Sequence, residues 1–349
     1  MRYPGFIKEN DRIGFIAPSF GCTLDWYRTR LGSALEYFKG EGYCLVTGPN
    51  VYKEDGIGKS TNAKDCGSEI NDFFTNDKSD CIISVGGGET MCEDLGYVDF
   101  EAIAKASPKW FMGYSDNTNL TFTLPTLCDT AAIYGPCASS FGMRPMHKYL
   151  TDAMSLLSGK NFKFSNYDKW ELEKDADEEN PLVTVNATEA YCQKVYTGGK
   201  LYTKDACPEI NITGRMLGGC LDLLCCLCGT KYDKVKEFNE KYKEDGTFWF
   251  FESCDLEPLS VFRAVWQLDS AGWFDTAKGF MVGRPLHFNA ETMGMDNYLA
   301  VTQVLEKHNV PIIFDTDLGH LPPQIPVISG AIGKLHILGN DLSIEYELR

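Results

Sequence analysis

Apolar runs alternate with segments of helical periodicity through the first 140 residues. Continuous apolar runs at Arg12–Pro18, Tyr43–Thr47 and Asp80–Val85 predict strands that are buried on both faces. Between these runs, apolar residues recur at helical spacing from Leu24 to Phe38, and a second helix is predicted from Asn62 to Phe74. Because strands that alternate with helices are joined by right-handed crossovers, the pattern predicts an α/β fold with a doubly wound parallel sheet.

A further apolar run, Trp110–Gly113, ends in an abrupt corner. The pattern predicts a strand, a one-residue turn at Ser115 and the start of a helix at Asn117. A serine at such a corner projects away from the sheet, and the amide of the next residue, Asp116, points to where an oxyanion can form. Ser115 is therefore a candidate nucleophile. The alternative is that Ser115 or Asn117 caps the helix that follows, which both residue types commonly do.

Three consecutive glycines, residues 86–88, directly follow the third predicted strand. In parallel sheets of this kind ligands bind outside the carboxyl ends of the strands, so we expect the glycine run and Ser115 to be neighbours. Glycine runs can also cradle a phosphate, although the Gly-Lys-Ser/Thr ending of a P-loop is missing here.

The pattern changes after about residue 165. Residues 166–205 include a polar, acidic stretch that ends in proline, and we interpret them as an exposed connection between a first domain, 1–165, and a second domain, 206–349. The second domain mixes helices with short strands, among them the strongly apolar Thr247–Glu252. This mixture is typical of a compact α+β domain.

Composition narrows the functional classes. A net charge of −16 argues against a nucleic-acid partner, since phosphate binding depends mainly on Lys and Arg. No apolar run approaches the roughly 20 residues that span a bilayer, and the N-terminal residues do not resemble a secretory signal, so we expect a cytoplasmic protein with no membrane contact.

The 14 cysteines are then expected to be reduced. Those between Cys220 and Cys228 lie among leucines without paired Cys-x-x-Cys spacing, which favours core thiols over a metal site, and no cofactor is indicated.

A serine nucleophile needs a base and a third group that orients the base. Among the five histidines, His320 lies in a Gly- and Pro-containing loop after a predicted strand, where functional residues concentrate, although it can equally be an exposed loop histidine. Glu252 follows four aromatic residues, and a carboxylate there must be paired or reach water because burying it alone is costly. The alternative for Glu252 is an exposed strand end.

Five motifs follow one another along the chain: Ser-Val-Gly-Gly-Gly-Glu (84–89), Phe-Met-Gly-Tyr-Ser-Asp-Asn-Thr (111–118), Gly-Arg-Met-Leu-Gly-Gly (214–219), Phe-Phe-Glu (250–252) and Asp-Leu-Gly-His (317–320). In this order and at these separations, they resemble the motifs of the LD-carboxypeptidase family of serine peptidases, and the branch with the microcin C immunity peptidases is the most similar. The resemblance implies an N-terminal Rossmann-like domain that carries the nucleophile Ser115. It also implies a C-terminal domain that carries the general base His320 and its orienting acid Glu252, with the site assembled across the domain interface.

The resemblance further implies an oxyanion hole formed by the amides of Asp116 and a loop glycine, with Gly88 the first choice and Gly87 the second. One position departs from the family, because many relatives have asparagine where this chain has Cys220. The implied substrate is a small peptide, a muropeptide or a peptidyl-nucleotide, hydrolysed through an acyl-enzyme, and the family also implies a homodimer. From the sequence alone, a non-catalytic nucleotide- or peptide-binding protein on the same fold remains the alternative.

Overall fold

The computed structural model describes residues 1–56 and 58–349. The chain divides into two compact units: unit 1 contains Met1–Asn161 and Glu173–Asn186, and unit 2 contains Phe162–Leu172 and Ala187–Arg349. The segment 166–205, interpreted above as a connection, therefore contributes to both units.

Unit 1 is built on a parallel sheet. Its strands are β1 (Arg12–Ile16), β2 (Cys44–Thr47), β3 (Cys81–Ser84), β4 (Trp110–Gly113) and β5 (Ala132–Tyr134). Its helices are α1 (Asp25–Gly40), α2 (Ala63–Thr75), α3 (Phe100–Lys105), α4 (Thr118–Thr121), α5 (Thr123–Cys128) and α6 (Lys148–Leu157), with 3₁₀ turns at Met91–Tyr97, Ser115–Asn117 and Ala138–Gly142. Within the unit the strands lie in the order β5-β4-β3-β1-β2, and each neighbouring pair is parallel. The predicted α/β class with a parallel N-terminal sheet is confirmed.

The core of unit 1 explains why these segments fold as they do. Strands β3 and β4 are buried along their whole length, as their unbroken apolar sequences predict. Helix α2 packs Ile70, Phe73 and Phe74 against Ile82 of β3 and Phe111 of β4. This packing fixes β3 beside β4, so that the glycine run and the Ser115 corner follow neighbouring strand ends.

Unit 2 has a mixed sheet. The strands of this unit, nine of which form that sheet, are β6 (Lys163–Ser165), β7 (Lys169–Trp170), β8 (Glu189–Ala190), β9 (Lys194–Thr197), β10 (Lys200–Thr203), β11 (Ile210–Cys220), β12 (Thr247–Glu252), β13 (Ala277–Gly283), β14 (Glu291–Thr292), β15 (Met295–Asp296), β16 (Ile312–Thr316), β17 (Val327–Ser329), β18 (Ile332–Leu338) and β19 (Asp341–Glu347). Its helices are α7 (Leu221–Leu227), α8 (Val235–Lys241), α9 (Pro258–Ser270) and α10 (Asn297–Leu305), with 3₁₀ turns at Lys204–Ala206 and Glu306–His308. The predicted mixed α+β class of the C-terminal domain is confirmed.

The topology of this sheet gathers several loops at one edge. The order is β10-β9-β16-β13-β12-β11-β18-β19-β6, in which β11, β12, β13 and β16 are mutually parallel and the outer pairs are antiparallel. Since parallel strands end at the same edge, the residues after β12, β13 and β16 lie side by side. Glu252 ends β12, Arg284 follows β13, and the loop with His320 follows β16.

Among residues 1–56 and 58–349, no helix combines the length and the apolar character that crossing a membrane requires.

Candidate active site

Ser115 occupies a strained corner at the end of β4. Its φ angle is +63°, in the left-handed region that a residue with a side chain rarely adopts. Such a conformation costs on the order of 1–3 kcal/mol and persists only where surrounding contacts enforce it, often at functional sites. Ser115 is partly exposed, whereas the next residue, Asp116, is fully buried. The corner therefore holds Ser115 at the surface of unit 1, directly before a buried residue.

Asn117 ties this corner to the glycine run. Its side-chain Nδ2 donates to the carbonyl oxygens of Gly86, at 2.9 Å, and Tyr114, at 3.0 Å. The Asn117 side chain does not cap helix α4, so the capping alternative for this residue is wrong. The asparagine is buried because it links two loops that follow neighbouring strands.

The Asp116 side chain holds the corner in place through three hydrogen bonds. Its Oδ2 accepts from the hydroxyl of Ser19 and from the backbone amide of Met91, the latter at 3.0 Å, and its Oδ1 accepts from Asn119 Nδ2 at 3.1 Å. Burial raises the pKa of Asp116, while these hydrogen bonds act in the opposite direction. Ser19, which follows β1, was not identified from the sequence.

The glycine run lies directly against the serine. A Cβ atom placed on Gly87 would be 3.3 Å from the Oγ atom of Ser115 and 3.2 Å from its Cβ. Gly88 has a φ angle of +155°, and a Cβ there would collide with the hydroxyl of Ser19. Position 88 thus needs glycine for backbone conformation and space, and glycine at position 87 permits the close approach to the serine. The predicted proximity of the run and Ser115 is confirmed.

In unit 2, Glu252 and His320 form a direct pair. The Nδ1–H of His320 donates to Oε2 of Glu252 at 2.7 Å. The Glu252 side chain is completely buried, whereas that of His320 is 14% exposed. The exposed alternatives for these two residues are therefore wrong: the carboxylate at the end of the aromatic strand is paired, and the loop histidine is its partner.

Backbone packing fixes Glu252 on two sides. Gly283 and Gly319 both lie so close to it that a Cβ atom at Gly283 would be 2.8 Å from the Glu252 Cβ, and one at Gly319 would be 2.5 Å from its Oε2. Gly319 also has a φ angle of +99°. Only glycine lets the loop with His320 approach this closely.

The pair changes the proton affinity of the imidazole. Burial by itself lowers the pKa of His320, but the charge of Glu252 and the hydrogen bond to it, together with Cys254, raise the pKa well above its usual value of 6.5. A buried carboxylate on Nδ1 fixes the tautomer that carries its proton there. The arrangement can therefore orient a base whose other nitrogen, Nε2, accepts a proton.

The cysteine at position 220 takes part in a hydrogen-bond network. Among the residues that the structure describes, no group of three or more His, Cys, Asp or Glu side chains could hold a metal ion. Cys220 is buried, and its thiol donates to Asp222 Oδ2 at 3.4 Å. Asp222 also accepts hydrogen bonds from the backbone amides of Cys254 and Asp255. Cys220, which stands where many relatives have asparagine, therefore belongs to the network that holds the loop after Glu252.

Comparison with known proteins gives consistent results for both units. Residues 13–135 match the LD-carboxypeptidase N-terminal domain, and residues 213–335 match the LD-carboxypeptidase C-terminal domain. The chain is 25% identical over 344 residues to the microcin C7 self-immunity protein MccF of Escherichia coli, covering 97% of this chain and 94% of that protein.

Two solved structures share the fold. MccF in complex with glutamyl sulfamoyl guanosine superposes with a TM-score of 0.78 at 22% identity, covering 99% of each chain. Muramoyltetrapeptide carboxypeptidase from Oxalobacter formigenes gives a TM-score of 0.70 at 20% identity, covering 96% of this chain and 98% of that one. The protein therefore belongs to the LD-carboxypeptidase family and is a hydrolase of the serine carboxypeptidase type.

Proposed function

We propose that this carboxypeptidase hydrolyses an amide bond through an acyl-enzyme, with Ser115 as the nucleophile, His320 as the general base and Glu252 as its orienting acid. The observation that carries the proposal is the 2.7 Å hydrogen bond from His320 Nδ1 to a completely buried Glu252. A carboxylate in this position selects the tautomer in which Nε2 is the proton acceptor and stabilises the imidazolium that forms. The left-handed corner at Ser115 supports the choice of nucleophile.

The chemistry proceeds in two halves. Ser115 Oγ attacks the substrate carbonyl while His320 takes its proton, and His320 then gives this proton to the leaving amine as the C–N bond breaks. Water enters, loses a proton to His320 and attacks the acyl-enzyme, and the serine regains its proton as the acid product leaves. Two carboxypeptidase steps therefore use one base, and no metal ion is needed in either of them.

The oxyanion of each tetrahedral intermediate needs donors beside Ser115. We propose the backbone amides of Asp116 and Gly88 for this role, with Gly87 as the second choice for the glycine. Their support is the contact between the glycine run and Ser115 and the hydrogen bond from Asn117 to Gly86, which joins the two loops. Removal of one such donor costs about 3 kcal/mol of the barrier.

For the substrate we propose either a murein tetrapeptide that loses its terminal residue or a microcin C-like peptidyl- or aminoacyl-nucleotide. The first class is supported by the similarity to muramoyltetrapeptide carboxypeptidase, and the second by the similarity to MccF, whose structure contains glutamyl sulfamoyl guanosine. The identity to MccF favours the second class. We further propose a homodimer, on the basis of the family alone, and the cytoplasmic location that is expected from the sequence.

The test compares the wild type with Ser115→Ala on both substrate classes, using a murein tetrapeptide and glutamyl and aspartyl sulfamoyl adenosines. We expect the wild type to hydrolyse one class and Ser115→Ala to lose at least about 10³-fold in kcat. Ser33→Ala is the control, because Ser33 is another partly buried serine of unit 1 that only donates to the carbonyl of Gly142. Turnover by Ser115→Ala at the wild-type rate would show that the nucleophile is assigned wrongly.

A further inference from the structure

Arg284 is a buried cation beside the His320 loop. It directly follows β13, and its side chain is only 1% exposed. Its Nη2 donates to Oδ1 of Asp317, whose side chain is fully buried, at 2.6 Å. Burial raises the pKa of Asp317, and the nearby Arg284 acts against this effect. The two residues thus form an ion pair that is closed to solvent.

The guanidinium group also holds the backbone on both sides of His320. Nη1 donates to the carbonyl oxygen of Asp315 at 2.9 Å, and Nη2 donates to that of Leu321 at 3.3 Å. A guanidinium is planar and presents its donors in a fixed fork, so these acceptors can be satisfied together in only one loop geometry. One side chain therefore spans the loop from its beginning at β16 to the residue after the histidine.

The short segment 162–172 contacts both members of the Arg284–Asp317 pair. The second oxygen of Asp317, Oδ2, accepts the backbone amide of Tyr167 at 2.7 Å. The Arg284 guanidinium lies 4.8 Å from the ring centre of Trp170, at a cation–π distance. The amide of Glu171 donates to the carbonyl of Pro322 at 2.8 Å. The Arg284–Asp317 pair is therefore held in place by residues outside the loop.

Stability alone does not account for this pair. A buried ion pair often gives no more stability than well-packed apolar residues of the same volume, because desolvation opposes the attraction. What apolar residues could not provide is a set of directed hydrogen bonds to Asp315 and Leu321. Gly319 must simultaneously stay close to Glu252, where small displacements of the loop change the distance between His320 and its carboxylate.

We propose that Arg284 is a positioning residue for the general base, which acts by fixing the 315–321 loop so that His320 stays hydrogen-bonded to Glu252. The proposal rests on the function proposed above for His320. Arg284 is not catalytic itself, since its guanidinium is committed to Asp317 and to loop carbonyls.

The principal test is Arg284→Lys, which keeps the charge but replaces the fork with a single ammonium. Lysine cannot reach Asp315, Asp317 and Leu321 together, so the loop relaxes away from Glu252. We expect kcat to fall about 10²-fold, as for a displacement near 1 Å, while KM changes less than about threefold. The titratable groups that face the imidazole are Glu252 and Cys254. Because Glu252 raises the pKa of His320, the loosened variant should titrate closer to 6.5, and the acid limb of kcat/KM should move to lower pH.

The matched control is Arg215→Lys. Arg215 is also buried in unit 2, where it pairs with Asp245 and donates to the carbonyl of Gly330, and both of these acceptors lie outside the 315–321 loop. We expect Arg215→Lys to lose comparable thermal stability and to keep the wild-type pKa of His320. Asp317→Asn is a second variant that preserves shape, and it carries the test if Arg284→Lys does not fold.

The pKa of His320 is measured by NMR titration without substrate, which separates this proposal from the proposed function. Retention of the wild-type His320 pKa in both Arg284→Lys and Asp317→Asn, or an equal shift in Arg215→Lys, would overturn the positioning role. If instead the pKa shifts as expected but His320→Ala turns over substrate at the wild-type rate, the positioning role stands and the catalytic assignment of His320 fails.

Discussion

Gly87→Ala is the sharpest probe of the contact between the glycine run and Ser115, the proposed nucleophile. The added methyl group would lie 3.2 Å from Cβ and 3.3 Å from Oγ of Ser115, a few tenths of an ångström closer than an ordinary van der Waals contact. Gly87 is not in the left-handed region, so alanine fits its backbone without strain. The serine or the loop must therefore move slightly, while the fold stays intact.

The size of the effect follows from that displacement. A misplacement of about 1 Å costs about 10²-fold in rate, so a shift of roughly half that size should cost about 10-fold in the acylation step, or about 1.4 kcal/mol. The assay is the rate at which a fluorophosphonate labels Ser115, which does not depend on knowing the substrate, followed by kcat on the preferred substrate. Thermal unfolding should be close to that of the wild type.

Gly32→Ala provides the control for the same chemical change. Gly32 lies on the exposed face of α1, and nothing lies within 4 Å of a Cβ placed there. This variant should label at the wild-type rate, and alanine should stabilise the helix by about 1 kcal/mol. Labelling of Gly87→Ala at the wild-type rate would refute the reasoning, because the crowded atom would then not be the reacting one.

Three further outcomes are expected. Glu252→Gln keeps the size of the acid but removes the charge that raises the pKa of His320. The acid limb of the kcat/KM profile should therefore move to lower pH, and kcat should fall by about 10⁴-fold. An acid limb at the wild-type pH would contradict this expectation. Asn117→Ala removes two hydrogen bonds at the corner and should cost about 2–3 kcal/mol of unfolding free energy in urea titrations, and a neutral result would contradict the linking role. Burial raises the pKa of Glu69 from 4.5 to about 7, so the folded state binds the carboxyl proton more tightly than the unfolded state does. The free energy of unfolding should therefore be highest at low pH and fall by up to about 3 kcal/mol as the pH rises from 4.5 to 7. Glu69→Gln should flatten this dependence between about pH 4.5 and 7, and an unchanged slope would assign the dependence to other groups.

The strands and most helices could be predicted because their signals are local. Strand β4 coincides with the predicted Trp110–Gly113, and β12 with Thr247–Glu252, since a buried strand needs only a continuous apolar run. The corner at Ser115 was visible for the same reason, because it lies where such a run stops. Helix α2 begins after Asn62, whose side chain accepts the amide of Asp65 as a helix cap does.

The supporting residues could not be predicted because their roles depend on strand order. Arg284 follows an apolar strand just as Glu252 does, but nothing near it in the sequence names Asp317 as its partner. That pairing requires β13 to lie beside β16, which follows only from the assembled sheet. The sequence suggests Asn117 as a cap because capping is a local rule, whereas one of its two acceptors, Gly86, lies 31 residues away.

The segment that braces the His320 loop has a consequence for synthesis of the chain on the ribosome. Tyr167 is made 150 residues before its acceptor, Asp317, and Trp170 is made more than a hundred residues before Arg284. At about 5–20 residues per second, this segment waits on the order of 10 s for its partners, while unit 1 can already be folding. The proposed general base is thus among the last features to be assembled. Under the proposed mechanism, a nascent chain that carries Ser115 in its finished corner remains inactive as a hydrolase until nearly the whole polypeptide has been made.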